Sequence, residues 1–201
     1  MWPDLHHGWF LAVNRFADAT PALHAPMRTY AEYGVALFAA LLLLAWWRAR
    51  RDGDPATMAA ALWAPVGALV ALGLNQPLVH GFHEARPFTV FPHALMLVSP
   101  SPDYSFPSDH AVMAGAVAAG VLLTSRRLGA VAAIAALVMA FARVYVGAHF
   151  PLDVAAGLLF GAAVTLLGWL AARPLLVPAV TALTRTPLRP LLTTSRPELA
   201  T

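Results

Sequence analysis

Long apolar stretches constrain the fold of this chain more than any other feature of its sequence. A membrane-spanning helix needs about 20 mostly apolar residues, and about 17 suffice where neighbouring helices help. Five stretches come close to that length: residues 29–47, 56–76, 110–124, 128–147 and 152–172. The third is short, so Asp109 and His110 are expected almost at its mouth. The pattern predicts an all-α, polytopic transmembrane helix bundle with about five spans.

The composition excludes an ordinary cytosolic enzyme. Of the 201 residues, 59% are hydrophobic and 11% are charged, whereas soluble domains carry roughly 25% charged residues. All 13 cationic side chains are arginines and the net charge is only +3. This excess is too small and too dispersed for a nucleic-acid surface, so no nucleic-acid partner is expected. The absence of cysteine excludes disulfides, thiolate nucleophiles and cysteine-type zinc sites.

The distribution of the arginines predicts the orientation in the membrane, because positively charged loops stay on the cytoplasmic side. Nine of them fall on one side of the five alternating stretches: Arg48, Arg50, Arg51, Arg126, Arg127, Arg173, Arg185, Arg189 and Arg196. The other side keeps Arg15, Arg28, Arg86 and Arg143. We therefore expect the N-terminus outside and the C-terminus inside.

The two ends of the chain are expected to lie beside the bundle. Residues 1–28 lack a long apolar core, but some of their apolar residues recur at helical spacing: Leu5, Trp9, Val13 and Phe16. This spacing predicts an amphipathic helix in the outer interface, with a poorly ordered terminus and an irregular sixth span as alternatives. Prolines interrupt residues 173–201, which predicts a cytoplasmic surface tail. Residues 1–172 then form one membrane domain.

Polar residues gather at the outer ends of the expected spans. Arg86, followed by proline, offers a guanidinium suited to phosphate oxygens, although a surface arginine that balances Glu84 would look the same. Ser108 is a natural N-cap, and the unpaired N–H groups behind it suit an anion. The alternative is an ordinary cap followed by an interfacial His110. Asp109 would repel an anion unless it turns away or orients a neighbouring group.

The segment between the last two stretches carries the strongest signal. Arg143 lies within an apolar run, and an ionisable residue there is costly unless it faces a polar interior, so a functional role is the default hypothesis. Asp153 follows His149 by four residues, a spacing at which a carboxylate can reach one imidazole nitrogen. Such a contact fixes the tautomer and raises the nucleophilicity of the other nitrogen. Taken alone, a histidine and an aspartate at this spacing could equally have a structural role.

Together these residues resemble the type 2 phosphatidic acid phosphatase family, which shares its catalytic core with vanadium haloperoxidases. Three motifs of that family match in order and spacing: ARPF at 85–88, PSDH at 107–110 and RVYVGAHFPLD at 143–153. The resemblance covers roughly residues 56–172, which it implies are the catalytic core. It implies a membrane-embedded lipid phosphatase that needs no cofactor and no metal, with a lipid phosphate substrate and the bilayer as partners. No feature of the sequence indicates an oligomeric state.

The resemblance also assigns roles to individual residues. His149 would attack phosphorus to give a phosphohistidine, while Asp153 orients the imidazole and stabilises its positive charge. His110 would donate a proton to the departing lipid phosphate and then help to activate water. The phosphate oxygens would be held by three side chains and adjacent backbone amides. Those side chains are Arg86, Arg143 and Ser108.

Two positions depart from the family pattern. Val79 stands where the family usually has a lysine, seven residues before Arg86, and the chain contains no lysine. His80 or His83 could supply the missing donor. We favour His83, because a helical continuation of the second stretch would place it on the face of Arg86. Asp109 replaces the usual glycine. With an aspartate at this position, the sequence resembles the subgroup that dephosphorylates undecaprenyl pyrophosphate outside the bacterial cytoplasmic membrane. We therefore expect that lipid as substrate and that membrane as the location.

Three alternatives stay open. The same chemistry could act on phosphatidic acid, phosphatidylglycerol phosphate or another polyprenyl phosphate. A non-catalytic homologue could bind or translocate a lipid phosphate, as the missing lysine suggests, although the intact histidines of the motifs argue against it. The third alternative is a soluble-type haloperoxidase that uses vanadate, and the apolar stretches argue against it.

Overall fold

The structure is a computed structural model that describes residues 2–194, with side chains described from residue 6 onward. The described residues form helices and connecting loops without a strand, which confirms the expected all-α fold. The helices are α1 (Trp2–Asp18), α2 (His24–Tyr33), α3 (Val35–Asp52), α4 (Pro55–Phe82), α5 (Pro87–Val90), α6 (Asp109–Thr124), α7 (Arg126–Tyr145), α8 (Pro151–Leu183) and α9 (Arg189–Leu192). A short 3₁₀ turn at Pro21–Leu23 precedes α2.

Helix α6 lies at the centre of the bundle, where it packs against α8, α4, α7 and α3. Most of its side chains are alanine, glycine or valine and are buried. At two positions, Gly115 on α6 and Gly161 on α8, a Cβ would collide with a backbone carbonyl of the other helix. Small residues at helix interfaces allow such close approach of backbones in membrane proteins. The starts of α6 and α8 therefore lie side by side, and the Ser108 N–H donates to the Asp153 carbonyl at 3.2 Å.

Sharp turns at one end of the bundle reverse the chain. Gly53 ends α3 in the left-handed region at φ 74°, and the Asp54 carboxylate caps α4 by accepting from the Thr57 N–H at 2.9 Å. Ser125 separates α6 from α7 and accepts from the Leu128 N–H at 3.4 Å. These turns lie beside the clustered arginines, so we call this the arginine-rich end. The opposite end carries the long loop between α5 and α6 and the loop between α7 and α8.

Three helical segments among the described residues are long and apolar enough to cross a membrane: Pro55–Val90, Arg126–Tyr145 and Pro151–Leu183. A fourth is possible if Pro21–Tyr33 and Val35–Asp52, which meet at a bend of 55°, count as one span. Helix α6 has 16 residues and is shorter than a span, as its sequence indicated. The chain is thus a multi-pass membrane protein, and the count of five spans stays a prediction.

Both ends of the chain contain more packed helix than the sequence predicted. A helix does form within residues 1–28, at α1, and it packs against α7 and α8. The expected boundary at residue 172 is wrong, since α8 continues through Pro174 and Pro178 to Leu183, although most of residues 173–183 are exposed as expected of a surface segment. Each internal proline costs about 3 kcal/mol of helix stability. Packing outweighs this cost, because Val180 is buried in one apolar cluster with Met58 and Leu192. The predicted tail at 195–201 lies outside the described residues.

Candidate functional site

A cavity of about 280 Å³ opens at the end of the bundle opposite the arginine-rich end. Its walls come from α4, α6, α7 and the two long loops. The polar side chains that line it include Gln76, His80, Arg86, His110, Arg143 and His149. The structure thus brings together the three polar segments that the sequence placed at separate helix ends.

The orientation of His149 is fixed by partners on both ring nitrogens. Nδ1 lies 2.9 Å from the Ser105 carbonyl oxygen, and Nε2 lies 3.3 Å from Nη1 of Arg86. A carbonyl only accepts a hydrogen bond and a guanidinium only donates one. Nδ1 must therefore carry the proton, and the lone pair of Nε2 faces Arg86 and the cavity. The imidazole is 3% exposed.

Asp153 and His149 come together as the spacing predicted, but a third residue completes the arrangement. The Asp153 Oδ2 atom lies 3.5 Å from Nδ1 of His149 and accepts from the Phe150 N–H at 2.8 Å. The same oxygen accepts from the hydroxyl of Ser105. Ser105 therefore holds the nitrogen with its carbonyl and the carboxylate with its side chain. Sequence reasoning missed this residue, because a serine in a long loop carries no pattern that marks the role.

Burial is the main influence on the charge of His149. It lowers the pKa of the imidazole, because a buried ring loses the hydration of its charged form. The hydrogen bond and the charge of Asp153 oppose this shift, whereas the charges of Arg143 and Arg86 add to it. The environment thus favours the neutral imidazole, which is the form with a lone pair on Nε2.

The two arginines approach the cavity from different sides. Nε of Arg86 donates to the Asp103 carbonyl at 2.7 Å, and its Nη1 donates to the Ala148 carbonyl at 3.1 Å. Nη1 of Arg143 donates to the Ala31 carbonyl of α2 at 3.3 Å. Nε of Arg143 is buried and has no hydrogen-bond partner among the described residues. An unused buried donor of this kind suits an anionic ligand.

Ser108 and Asp109 at the start of α6 play different parts. The Ser108 hydroxyl is fully buried and has no hydrogen-bond partner among the described residues. The first N–H groups of α6 lie beside it and favour an anion. Asp109 turns towards α4, where its Oδ1 accepts from Asn75 at 2.7 Å and from Gln76 at 3.1 Å. This agrees with the expectation that the carboxylate engages a neighbour.

His83 does not lie where a helical continuation would place it. Helix α4 ends at Phe82, and His83 adopts the left-handed region at φ 51°. The expected common helical face with Arg86 is therefore wrong. The His83 ring is exposed and packs 4.6 Å from the Tyr104 ring. Among the described residues, Val79 and His80 line the cavity, so the vacant lysine position does face the site.

The chemistry of the cavity suits a phosphate group. Two guanidinium groups and the first turn of α6 line the cavity together with the buried His149 imidazole, and His110 lines the same cavity. Within the described part of the chain, no group of three or more His, Asp or Glu side chains is placed to hold a metal ion.

Comparisons of sequence agree with this chemistry. A family model described as the PAP2 superfamily matches residues 60–176. The undecaprenyl-diphosphatase BcrC of Bacillus subtilis (strain 168) is 30% identical over 151 residues, which cover 72% of this chain and 72% of the relative. An undecaprenyl-diphosphatase of Sulfolobus acidocaldarius is 36% identical over 104 residues, which cover 51% of this chain and 50% of that protein.

Solved structures show the same fold. A transmembrane PAP2-type phosphatidylglycerolphosphate phosphatase from Bacillus subtilis superposes with a TM-score of 0.60 at 20% identity, over 84% of this chain and 86% of its own. LpxE from Aquifex aeolicus superposes with a TM-score of 0.52 at 26% identity, over 78% of this chain and 92% of its own. Since the family match spans more than half of the sequence and includes every residue that carries the three motifs, this chain belongs to the PAP2 superfamily and is a membrane lipid phosphatase.

Proposed function

We propose that this enzyme removes the terminal phosphate of undecaprenyl pyrophosphate and so recycles the lipid carrier of cell-envelope synthesis. Two relatives in separate organisms bear the name undecaprenyl-diphosphatase, one of them over 72% of this chain. The catalytic part of the proposal rests on one observation. The lone pair on Nε2 of His149 faces a cavity that is lined by two arginines. An undecaprenyl pyrophosphate molecule presents the doubly phosphorylated, anionic head that such a cavity suits.

In the first step, Nε2 of His149 attacks the terminal phosphorus. A P–N bond forms while the bond from phosphorus to the bridging oxygen breaks, and His110 gives a proton to the departing lipid phosphate. The imidazole keeps its proton on Nδ1 and gains positive charge. The Ser105 carbonyl and the Asp153 carboxylate stabilise that charge.

In the second step, water attacks the phosphohistidine. His110, now neutral, accepts a proton from the water as the P–N bond breaks and the electron pair returns to Nε2. Inorganic phosphate leaves. The equatorial oxygens are held throughout by Arg86, Arg143, the Ser108 hydroxyl and the first N–H groups of α6.

We also propose that the protein resides in the bacterial cytoplasmic membrane with the cavity on the outer face. The cavity lies at the end of the bundle away from the clustered arginines, and positively charged loops are retained inside. The N-terminus would then be outside and the C-terminus inside.

The substrate proposal is tested with purified enzyme and a panel of lipid phosphates. We expect phosphate release from undecaprenyl pyrophosphate to exceed release from undecaprenyl phosphate, phosphatidic acid and phosphatidylglycerol phosphate, by kcat/KM. The rates should be the same with and without a metal chelator. Faster release from a glycerolipid would refute the substrate and leave the family intact. Loss of activity with the chelator would refute the metal-free steps.

The nucleophile is tested by substitution of two histidines. His149→Ala should abolish turnover and form no phosphoenzyme, because the attacking nitrogen is gone. His110→Ala should lower kcat by roughly 100-fold or more, since a general acid contributes about 10²–10⁴. His93→Ala is the matched control, because His93 is exposed on the same side of the bundle, and it should match wild type. A labelled phosphoenzyme in acid-quenched His149→Ala would contradict the assignment.

The vacant lysine position leads to a test of His80, which replaces His83 as our candidate because it lines the cavity. If His80 contacts the phosphate head, His80→Ala should lower kcat/KM about 10-fold, equivalent to about 1.4 kcal/mol. His83→Ala is the control and should match wild type. Equal losses in both variants, or no loss in His80→Ala, would contradict this role.

The orientation is tested with single cysteines, for which the chain offers a clean background because it has none. His93→Cys lies near the cavity end and Thr186→Cys lies near the arginine-rich end, and both positions are exposed. An impermeant thiol reagent added to intact cells should label the first and spare the second. The reverse pattern would overturn the proposed topology.

A further inference from the structure

Helix α1 precedes the residues matched to the family, yet it packs directly against the loop that carries His149. The rings of His6 and His7 lie 4.9 and 5.0 Å from the ring of Phe150, the residue after His149. Phe10 is fully buried and lies 5.4 Å from the same ring. One face of α1 thus packs against the loop of residues 146–150, which carries His149 and which we call the catalytic loop.

Further along α1, Asn14 makes a pair of hydrogen bonds to the backbone of one residue. Its Nδ2 donates to the Leu95 carbonyl at 2.8 Å, and its Oδ1 accepts from the Leu95 N–H at 3.0 Å. Asn14 is 8% exposed. Buried backbone groups require partners, and Leu95 lies in a loop where neither a helix nor a strand supplies them. The carboxamide of Asn14 therefore fixes the position of this loop residue.

Leu95 also contacts the chain segment that leads to His149. Gly147 adopts φ +80°, and a Cβ on it would lie 2.6 Å from the Leu95 carbonyl oxygen. Two residues further along the loop, the Leu97 N–H donates to the Val146 carbonyl at 3.0 Å. Residues 95–97 thus press against 146–147, immediately before the imidazole. A displacement of this segment would remove the support on one side of the catalytic loop.

We propose that Asn14 is a positioning residue for the phosphatase reaction: through its paired bonds to Leu95, it holds residues 95–97 against Gly147 and thereby keeps His149 buried and aimed. This inference rests on the proposed role of His149 as nucleophile. It assigns to the N-terminal helix a part in catalysis, in addition to any part in folding.

Two Asn14 variants test the inference. Asn14→Asp keeps an acceptor for the Leu95 N–H but replaces the donor that faces the Leu95 carbonyl, and Asn14→Ser shortens the side chain without adding a charge. Each should lower kcat by about 10-fold or more for release of phosphate from a polyprenyl pyrophosphate, because small misplacements of a reacting group are costly. Asn14→Ser is a sufficient test on its own if Asn14→Asp does not accumulate as folded protein.

The pH profile separates positioning from loss of folded protein. Burial lowers the pKa of His149, so a loosened, hydrated imidazole should regain a higher pKa, and the acidic limb of kcat/KM should move to higher pH. The charged and titratable groups that face His149 are Arg86, Arg143, His110 and Asp153. All four are retained in both variants. A smaller folded fraction would reduce the rates but leave the limb in place.

Thr20→Val is the matched control, in the turn that follows α1. The Thr20 hydroxyl donates to the Phe16 carbonyl at 2.7 Å and pairs with the Tyr145 hydroxyl at 2.9 Å, which docks the end of α1 on α7 without a hydrogen bond to Leu95. This variant should weaken that docking and lower the thermal stability. Its acidic limb should coincide with that of wild type.

The outcomes are distinct. Wild-type kcat and an unmoved limb in the Asn14 variants would overturn the inference. So would equal rate losses in the Asn14 and Thr20 variants with unmoved limbs, because α1 would then only stabilise the fold. An active His149→Ala enzyme would refute the proposed nucleophile whatever the Asn14 variants do, so the two failures are distinguishable.

Discussion

Close packing between α6 and α8 determines where the parts of the site lie. Glycines at the crossing let the two backbones touch, and their first turns then start side by side at the same end of the bundle. Helix α6 begins at Asp109, directly after Ser108, and α8 begins at Pro151, two residues after His149. Two motifs that are 30 to 40 residues apart in sequence therefore share a single cavity because small residues allow the helices to approach.

A second constraint is the burial of polar groups at those helix ends. His149, Asp153 and Ser105 are almost fully enclosed, and a buried polar atom is costly unless it has a partner. The carbonyl and hydroxyl of Ser105 satisfy one ring nitrogen and one carboxylate oxygen, which leaves Nε2 as the ring atom facing the cavity. Two buried donors without a hydrogen-bond partner among the described residues, the Ser108 hydroxyl and Nε of Arg143, are of the kind that a phosphate oxygen would satisfy. Structural requirement and binding capacity thus follow from the same burial.

The helices before the family-matched core contribute to the site from outside. Helix α2 offers the Ala31 carbonyl to Arg143, and α1 offers the Asn14 carboxamide to Leu95. In both cases a polar group from the N-terminal region holds a segment that lines or supports the cavity. This arrangement explains how loops without regular secondary structure keep fixed positions beside a reacting centre.

The sequence by itself determined the all-α membrane class, the polar cavity at one end, and the residues of the three motifs. These depend on local patterns: apolar length, arginine placement, and the fixed spacing from His149 to Asp153. The tertiary structure alone decided the tautomer of His149, the roles of Ser105 and Asn14, and the placement of His80 in the cavity in preference to His83. Helix α8 also continues past two prolines, because its packing against α4 and α9 outweighs the local cost of the prolines. Each of these outcomes depends on partners far apart in the chain, such as Asn14 with Leu95, and no local pattern encodes a contact that only packing creates.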